Sequence, residues 1–198
     1  MPFGETEILD NFNRANETLT GNWTTAVGVG DVDLSVVNNE VAKEGAGNGS
    51  AWWNRDKFGP NCEAYTTVQT IGPVIGLNAR ITDAATAGVD YYQLEVNTAT
   101  SKLWKRVNGA FTELASVTQV IASGDKVGIE CIGTNILGYY RSSVGTWTAI
   151  LSISSGTLSS AGFIGLEFNS TAIRCDDFGG GNTLITMRDA LRRLGIGL

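Results

Sequence analysis

The chain has 198 residues, 42% of them hydrophobic and 17% charged, with a net charge of −6 and no histidine. That balance fits one sizeable folded core and argues against disorder. The acidic total disfavours nucleic-acid binding, no apolar run reaches membrane-spanning length, and the missing histidine removes the commonest general base and metal ligand.

The opening stretch "MPFGETEILD" carries two glutamates and no apolar h-region, so no secretory signal is expected. The N-x-S/T triplets at Asn16, Asn22, Asn48 and Asn169 are then read as chance. "LSVVNNEVA" predicts a hairpin turning at Asn38-Asn39. Strands are predicted over 51–58 and 62–71, followed by "GLNARI", in which Leu77, Ala79 and Ile81 alternate with Asn78 and Arg80. In "DYYQLEV", Tyr92, Leu94 and Val96 alternate with Tyr91, Gln93 and Glu95. "KLWKRVNGAFTEL" is the clearest hairpin, two alternating runs around Asn108-Gly109, the pair a type I′ turn favours. Strands over 126–132, 136–141, 146–153, 163–168 and 172–178 complete the set. About a dozen short strands spaced roughly 8–12 residues apart spell a β-sandwich or barrel, one all-β domain over residues 1–178.

The cysteines, Cys62, Cys131 and Cys175, form no C-x-x-C pair and fall on apolar strand faces, as small core residues do. Beyond the strands, "FGGGN" reads as a glycine-rich tether at 179–182. A short amphipathic helix is predicted within 183–198, capped by Thr186 with Asp189 and stopped by Gly195. Met187, Ala190, Leu191 and Leu194 make its apolar stripe, with Arg188, Arg192 and Arg193 beside it. A helix of that length does not stand alone in water, so it is expected to dock, on another chain or across its own sheet. The residues that would dock it are Ile185, Met187, Arg188, Leu191, Arg192 and Leu194.

The succession "ILDNFNRANETLTGNW", "VDYYQLEV", "VNGAFTEL", "GDKVGIECIG" and "IRCDDFGGG" resembles the concanavalin A-like lectin/glucanase jelly roll, in its laminin-G-like branch. The resemblance implies an antiparallel two-sheet sandwich whose first and last strands lie side by side. It also implies a place among proteins that bind or cleave polysaccharide, some of them phage virion components. On that basis the chain is expected to be a non-enzymatic decoration or tail-associated protein of a phage virion, made in the host cytoplasm. Its jelly roll would be exposed, and its terminal segment would dock on a neighbouring capsid or tail subunit within a homo-oligomer. A lectin-like carbohydrate-binding module is the alternative.

The glucanases of that fold carry a Glu-x-Asp-x-x-Glu strand motif, which sets carboxylates on one sheet face at period 2. None of the ten glutamates here is followed two residues later by aspartate, so no catalysis is expected. Glu63, Glu95 and Glu130 are read as solvated charges on sheet faces. A saccharide site needs rings for CH faces and planar polar groups for hydroxyls, and the outward positions Tyr65, Asn78, Arg80, Tyr91, Gln93, Trp104 and Arg106 offer both, with three aromatic doublets adding to them. The doublets Trp52-Trp53, Tyr91-Tyr92 and Tyr139-Tyr140 should each place one ring in the core and one outside. No cofactor is expected. Weak calcium candidates are Asp10 with Asp176 or Asp177, which the family pairing would bring together, and Asp31 with Asp33.

Overall fold

The computed structural model describes residues 3–25, 31–82 and 89–183, all of them strand, turn or irregular segment. Among the described residues sixteen strands run in order as β1 (Ile8–Asp10), β2 (Glu17–Thr18), β3 (Trp23–Thr25), β4 (Leu34–Val37), β5 (Glu40–Lys43), β6 (Gly49–Trp53), β7 (Cys62–Thr70) and β8 (Ile75–Ile81). They continue as β9 (Tyr91–Val96), β10 (Thr100–Val107), β11 (Ala110–Thr118), β12 (Lys126–Ile132), β13 (Asn135–Arg141), β14 (Thr148–Ser154), β15 (Phe163–Phe168) and β16 (Arg174–Asn182).

They build two antiparallel sheets. Sheet A runs β14-β13-β12-β7-β16-β5-β4-β2, and sheet B runs β11-β10-β9-β8-β15-β6-β3. The far edge of β16 is shared: Cys175 pairs with Val41 of β5, while Phe178 and Gly179 pair with Asp10 and Ile8 of β1. First and last strands thus lie together. Both hairpin turns form as the residue types dictate, with positive φ at Asn38 (55°), Asn39 (64°), Asn108 (51°) and Gly109 (80°).

Period-2 alternation supplies the core. Ala64, Val68, Val127, Ile129 and Cys175 from sheet A meet Leu77, Tyr92, Leu94, Leu103 and Leu166 from sheet B, all buried. Each aromatic doublet divides as its period requires: Trp53 and Tyr92 enter this core and Tyr140 packs against it, whereas Trp52, Tyr91 and Tyr139 face outward.

Gly179–Asn182 is not a tether. It continues β16, pairing with Tyr65, Ala64, Glu63 and Cys62 of β7. The glycines serve close approach, because a Cβ on Gly179 would collide with the Tyr65 ring and one on Gly180 with Ile164 and the β7 backbone. The predicted terminal helix and its docking residues Ile185, Met187, Arg188, Leu191, Arg192 and Leu194 lie outside the described residues.

Outside sheet A, the segment Phe3–Thr6 crosses β7, β12 and β13 as a strap. Phe3 is buried among Tyr65, Tyr139 and Trp147, with ring centroids 5.9, 5.0 and 4.4 Å away. Glu5 bonds Arg141 at 2.8 Å, Lys126 at 3.2 Å and Trp147 Nε1 at 3.0 Å. The strap changes the reading of two glutamates. Glu63 and Glu130 do face outward, directly opposite each other across β7 and β12, yet they are 0% and 4% exposed rather than solvated. Glu63 accepts the Thr6 amide at 2.6 Å and Glu130 accepts Tyr139 Oη at 3.1 Å.

Candidate functional site

The outer face of sheet B carries a depression whose shape follows from register. Across it, Phe111 of β11 lies opposite Arg106 of β10, and Arg106 opposite Tyr91 of β9. One step along, Gln93 lies opposite Asn78 of β8, Asn78 opposite Gly165 of β15, and Gly165 opposite Trp52 of β6. Gly165 leaves the middle of that row without a side chain; a Cβ there would meet the β6 backbone at Ala51. The result is a cavity of about 170 Å³ whose polar lining is Asp31, Asn48, Ser50, Asn78, Arg106 and Glu167. Trp52, Ile81, Val89 and Tyr91 wall it, backed by Phe163, on which Trp52 stacks at 5.8 Å. The volume is below the roughly 300–1,000 Å³ of pockets for drug-sized ligands, so it suits one ring-sized group.

The floor is held by its own hydrogen bonds. Gln93 Nε2 donates to Asn78 Oδ1 at 3.0 Å and to Glu167 Oε2 at 2.9 Å, while Tyr91 Oη donates to the same carboxylate at 3.0 Å. Ser50 Oγ donates to Asp31 at 2.5 Å. Arg106 lies against the rings of Tyr91 and Phe111, 5.6 and 5.7 Å from their centroids, and gives one N–H to Val89 O at 2.8 Å. The site therefore offers oriented acceptors, a planar donor and an exposed ring, Phe111, at its rim.

Burial, then the like charge of Asp31, holds the Glu167 carboxyl above its ordinary range against the opposing bonds from Tyr91 and Gln93. The neutral form is thus the one the fold favours. Its stability is fully present below the ordinary carboxylate value and is lost as pH rises through the raised one. Glu167→Gln fixes a neutral group in the same shape. It is expected to raise the thermal midpoint by a few degrees at pH 7 and to leave it unchanged near pH 4, read by circular dichroism melts at both pH values.

Of the expected saccharide residues, Asn78, Tyr91, Gln93 and Arg106 come together here. Trp104 shares the face but stands behind Phe111, edge-on at 6.3 Å, rather than lining the cavity. Tyr65 does not belong. The link from β7 to β8 crosses between sheets, so Tyr65 lies under the strap outside sheet A. Arg80 turns inward, because φ of +54° at that residue makes a bulge, seen as the register shift between Phe163 and Gly165. The bulge also sends Ile81 outward to join Tyr91 and Trp52, reversing the predicted alternation.

The calcium candidates have other work. Asp10 takes the Phe12 amide at 2.8 Å and Arg14 at 2.7 Å on one oxygen and Trp23 Nε1 at 2.8 Å on the other. Asp176 accepts the Asp177 amide at 2.8 Å, Asp33 accepts Thr25 Oγ1 at 2.6 Å, and Asp31 holds Ser50. Among the described residues no group of three or more Asp, Glu, His or Cys side chains is placed to hold a metal ion. Unlike the Trp52-Trp53 doublet, Asp31, Asn48, Ser50 and Glu167 were not among the sequence candidates for a saccharide site. They come from segments distant in sequence that reach this face only through the pairing of β6, β15 and β8.

No family model and no curated protein matches the sequence. Solved structures do match. A carbohydrate-binding module from Bacillus subtilis aligns over 81% of this chain and 92% of its own, at 15% identity and a TM-score of 0.59. The lumenal domain of VIP36, in a calcium- and mannose-bound form, aligns over 84% and 85% at 13% identity and a TM-score of 0.63. A Bacillus licheniformis beta-glucanase aligns over 88% and 97% at 12% identity and a TM-score of 0.57. Identities this low speak for architecture alone, and it agrees with the two sheets and paired termini described above: the chain is a concanavalin A-like jelly-roll sandwich.

Proposed function

We propose that this domain binds carbohydrate, without cleaving it, through the outer face of sheet B. The observation that carries the reading is the cavity itself, a ring-sized space with a pre-oriented amide and carboxylate floor, the Arg106 donor and the Phe111 rim. Hydroxyl-rich ligands need such fixed donors and acceptors beside an apolar wall. Two solved structures of the same fold are a carbohydrate-binding module and a mannose-bound form of a lumenal domain, which supports the same class of ligand. The reading as a virion subunit anchored by residues 185–194 draws on a segment outside the described residues, so glycan binding takes first place.

The test is a glycan array followed by thermal shift with the best ligand. At a hundred times its dissociation constant a ligand stabilises by about 2.7 kcal/mol, which for a chain of this size is a rise of roughly 5–10 °C. If plant, fungal, bacterial and animal polysaccharides all leave the array blank and the melting curve unmoved, the proposal fails.

A further inference from the structure

Cys62 and Cys131 stand directly opposite each other on the antiparallel strands β7 and β12, both fully buried on the core face of sheet A. Residues in that relation have Cα atoms about 4.5 or 5.5 Å apart, according to whether they fall at a non-hydrogen-bonded or hydrogen-bonded position. Both distances lie inside the roughly 4.4–6.8 Å that a disulfide spans, so the strand pairing places the two residues at bridging distance. The neighbouring Cys131 and the nearby Arg80 guanidinium draw the Cys62 thiol down, whereas burial pushes Cys131 up. Cys62 is therefore the readier thiolate of the two.

Position answers the objection that both sulfurs are covered. Cys62 is the first residue of β7 and Cys131 the last but one of β12, at the same end of the sandwich. The loops just beyond them are pinned by one side chain, since Arg80 bonds Pro60 O at 2.8 Å and Gly133 O at 2.7 Å. Local opening of that end is the route by which an oxidant would reach the pair. Cys175 offers the contrast: it lies opposite Val68, with no sulfur across from it.

We infer that Cys62 and Cys131 are a site of oxidative cross-linking, forming a cross-strand disulfide when the protein meets a small-molecule disulfide such as oxidised glutathione. The Cys62 thiolate attacks one sulfur of the oxidant, forming a mixed disulfide and expelling one glutathione thiolate, which takes up a proton. Cys131 gives up its proton and attacks the Cys62 sulfur, closing the bridge and releasing the second glutathione. Two protein thiols are oxidised and one oxidant disulfide is reduced to two thiols. The bridge closes a loop of about 70 residues at the centre of sheet A, which the chain-entropy account makes strongly stabilising in an oxidising compartment.

The experiment incubates the full, folded chain with oxidised glutathione at pH 8, in buffer and in urea well below the unfolding transition. The expected product has lost two hydrogens by intact mass and yields one peptide joining Cys62 to Cys131. It also keeps one titratable thiol after denaturation, and melts about 10 °C higher until dithiothreitol reverses the change. Cys62→Ala is expected to give no bridge. A stable glutathione adduct on either residue, a bridge that includes Cys175, or three thiols remaining in both conditions overturns the proposal.

Discussion

Arg80→Met is expected to lower the thermal midpoint by about 10 °C or more, and Arg80→Lys to fall nearly as far. The side chain is 1% exposed and, among the described residues, makes no ion pair. Its guanidinium donates instead to three carbonyls, Pro60 at 2.8 Å, Leu158 at 2.6 Å and Gly133 at 2.7 Å, and lies 5.9 Å from the Tyr92 ring centroid. Those carbonyls belong to three separate loops, so one planar fork closes an end of the sandwich. Removing a buried charge returns some desolvation energy, but it takes the donor from three loop carbonyls. A hydrogen bond from a charged donor is worth about 1.5–3 kcal/mol, and three of them outweigh the relief. The net loss is about 3–5 kcal/mol, at roughly 2–4 °C per kcal/mol for a chain of this length. Lysine keeps the charge but cannot present several donors in one plane, so it does not rescue. Urea unfolding of the three proteins checks this; a midpoint for Arg80→Met within a degree of the parent would mean that the loops do not need the fork.

Arg80 also shows where sequence reasoning meets its limit. Alternation placed it outside because Asn78 is outside, and that inference is sound for an unbroken strand. The single left-handed residue that reverses it is not marked by glycine or asparagine, the types that announce such a conformation. By contrast Asn38-Asn39 and Asn108-Gly109 announced their turns, and the strands flanking them were read correctly. Local chemistry therefore revealed the all-β class, the hairpins and the division of each aromatic doublet between the two faces. Tyr65 was misplaced because nothing in "TIGPVIG" says that the chain changes sheets there. Gly179–Gly181 looked flexible because glycine composition is the same for a loose joint and for a strand pressed against Tyr65 and Ile164. Glu63 and Glu130 looked solvated because the strap that covers them comes from residues more than fifty positions earlier in the chain. Half of the cavity went unread for the same reason. Tyr91, Gln93 and Arg106 sit on consecutive strands, where periodicity can join them, whereas Ser50 and Glu167 arrive through long-range pairing that periodicity does not encode.

In the proposed glycan site the largest loss of affinity is expected for Arg106→Ala, about 10- to 100-fold against the best array ligand. Stacking against Tyr91 and Phe111 and the bond to Val89 O fix the guanidinium before any ligand arrives, so little entropy is spent in presenting it. A hydrogen bond from a charged donor is worth about 1.5–3 kcal/mol, which is the stated range in affinity. Phe111→Ala is expected to weaken binding by about 3- to 10-fold, from loss of a ring contact worth about 0.5–1.5 kcal/mol. Phe111 is 49% exposed, so its removal should move the thermal midpoint by little. That separation is the point of using both variants. If the face exists only to cover the sheet, Arg106→Ala lowers stability and leaves calorimetric affinity where it was. If the face recognises sugar, Phe111→Ala lowers affinity while the melting curve stays put. Lys105→Ala, on the same strand but half-buried away from the cavity, should change neither.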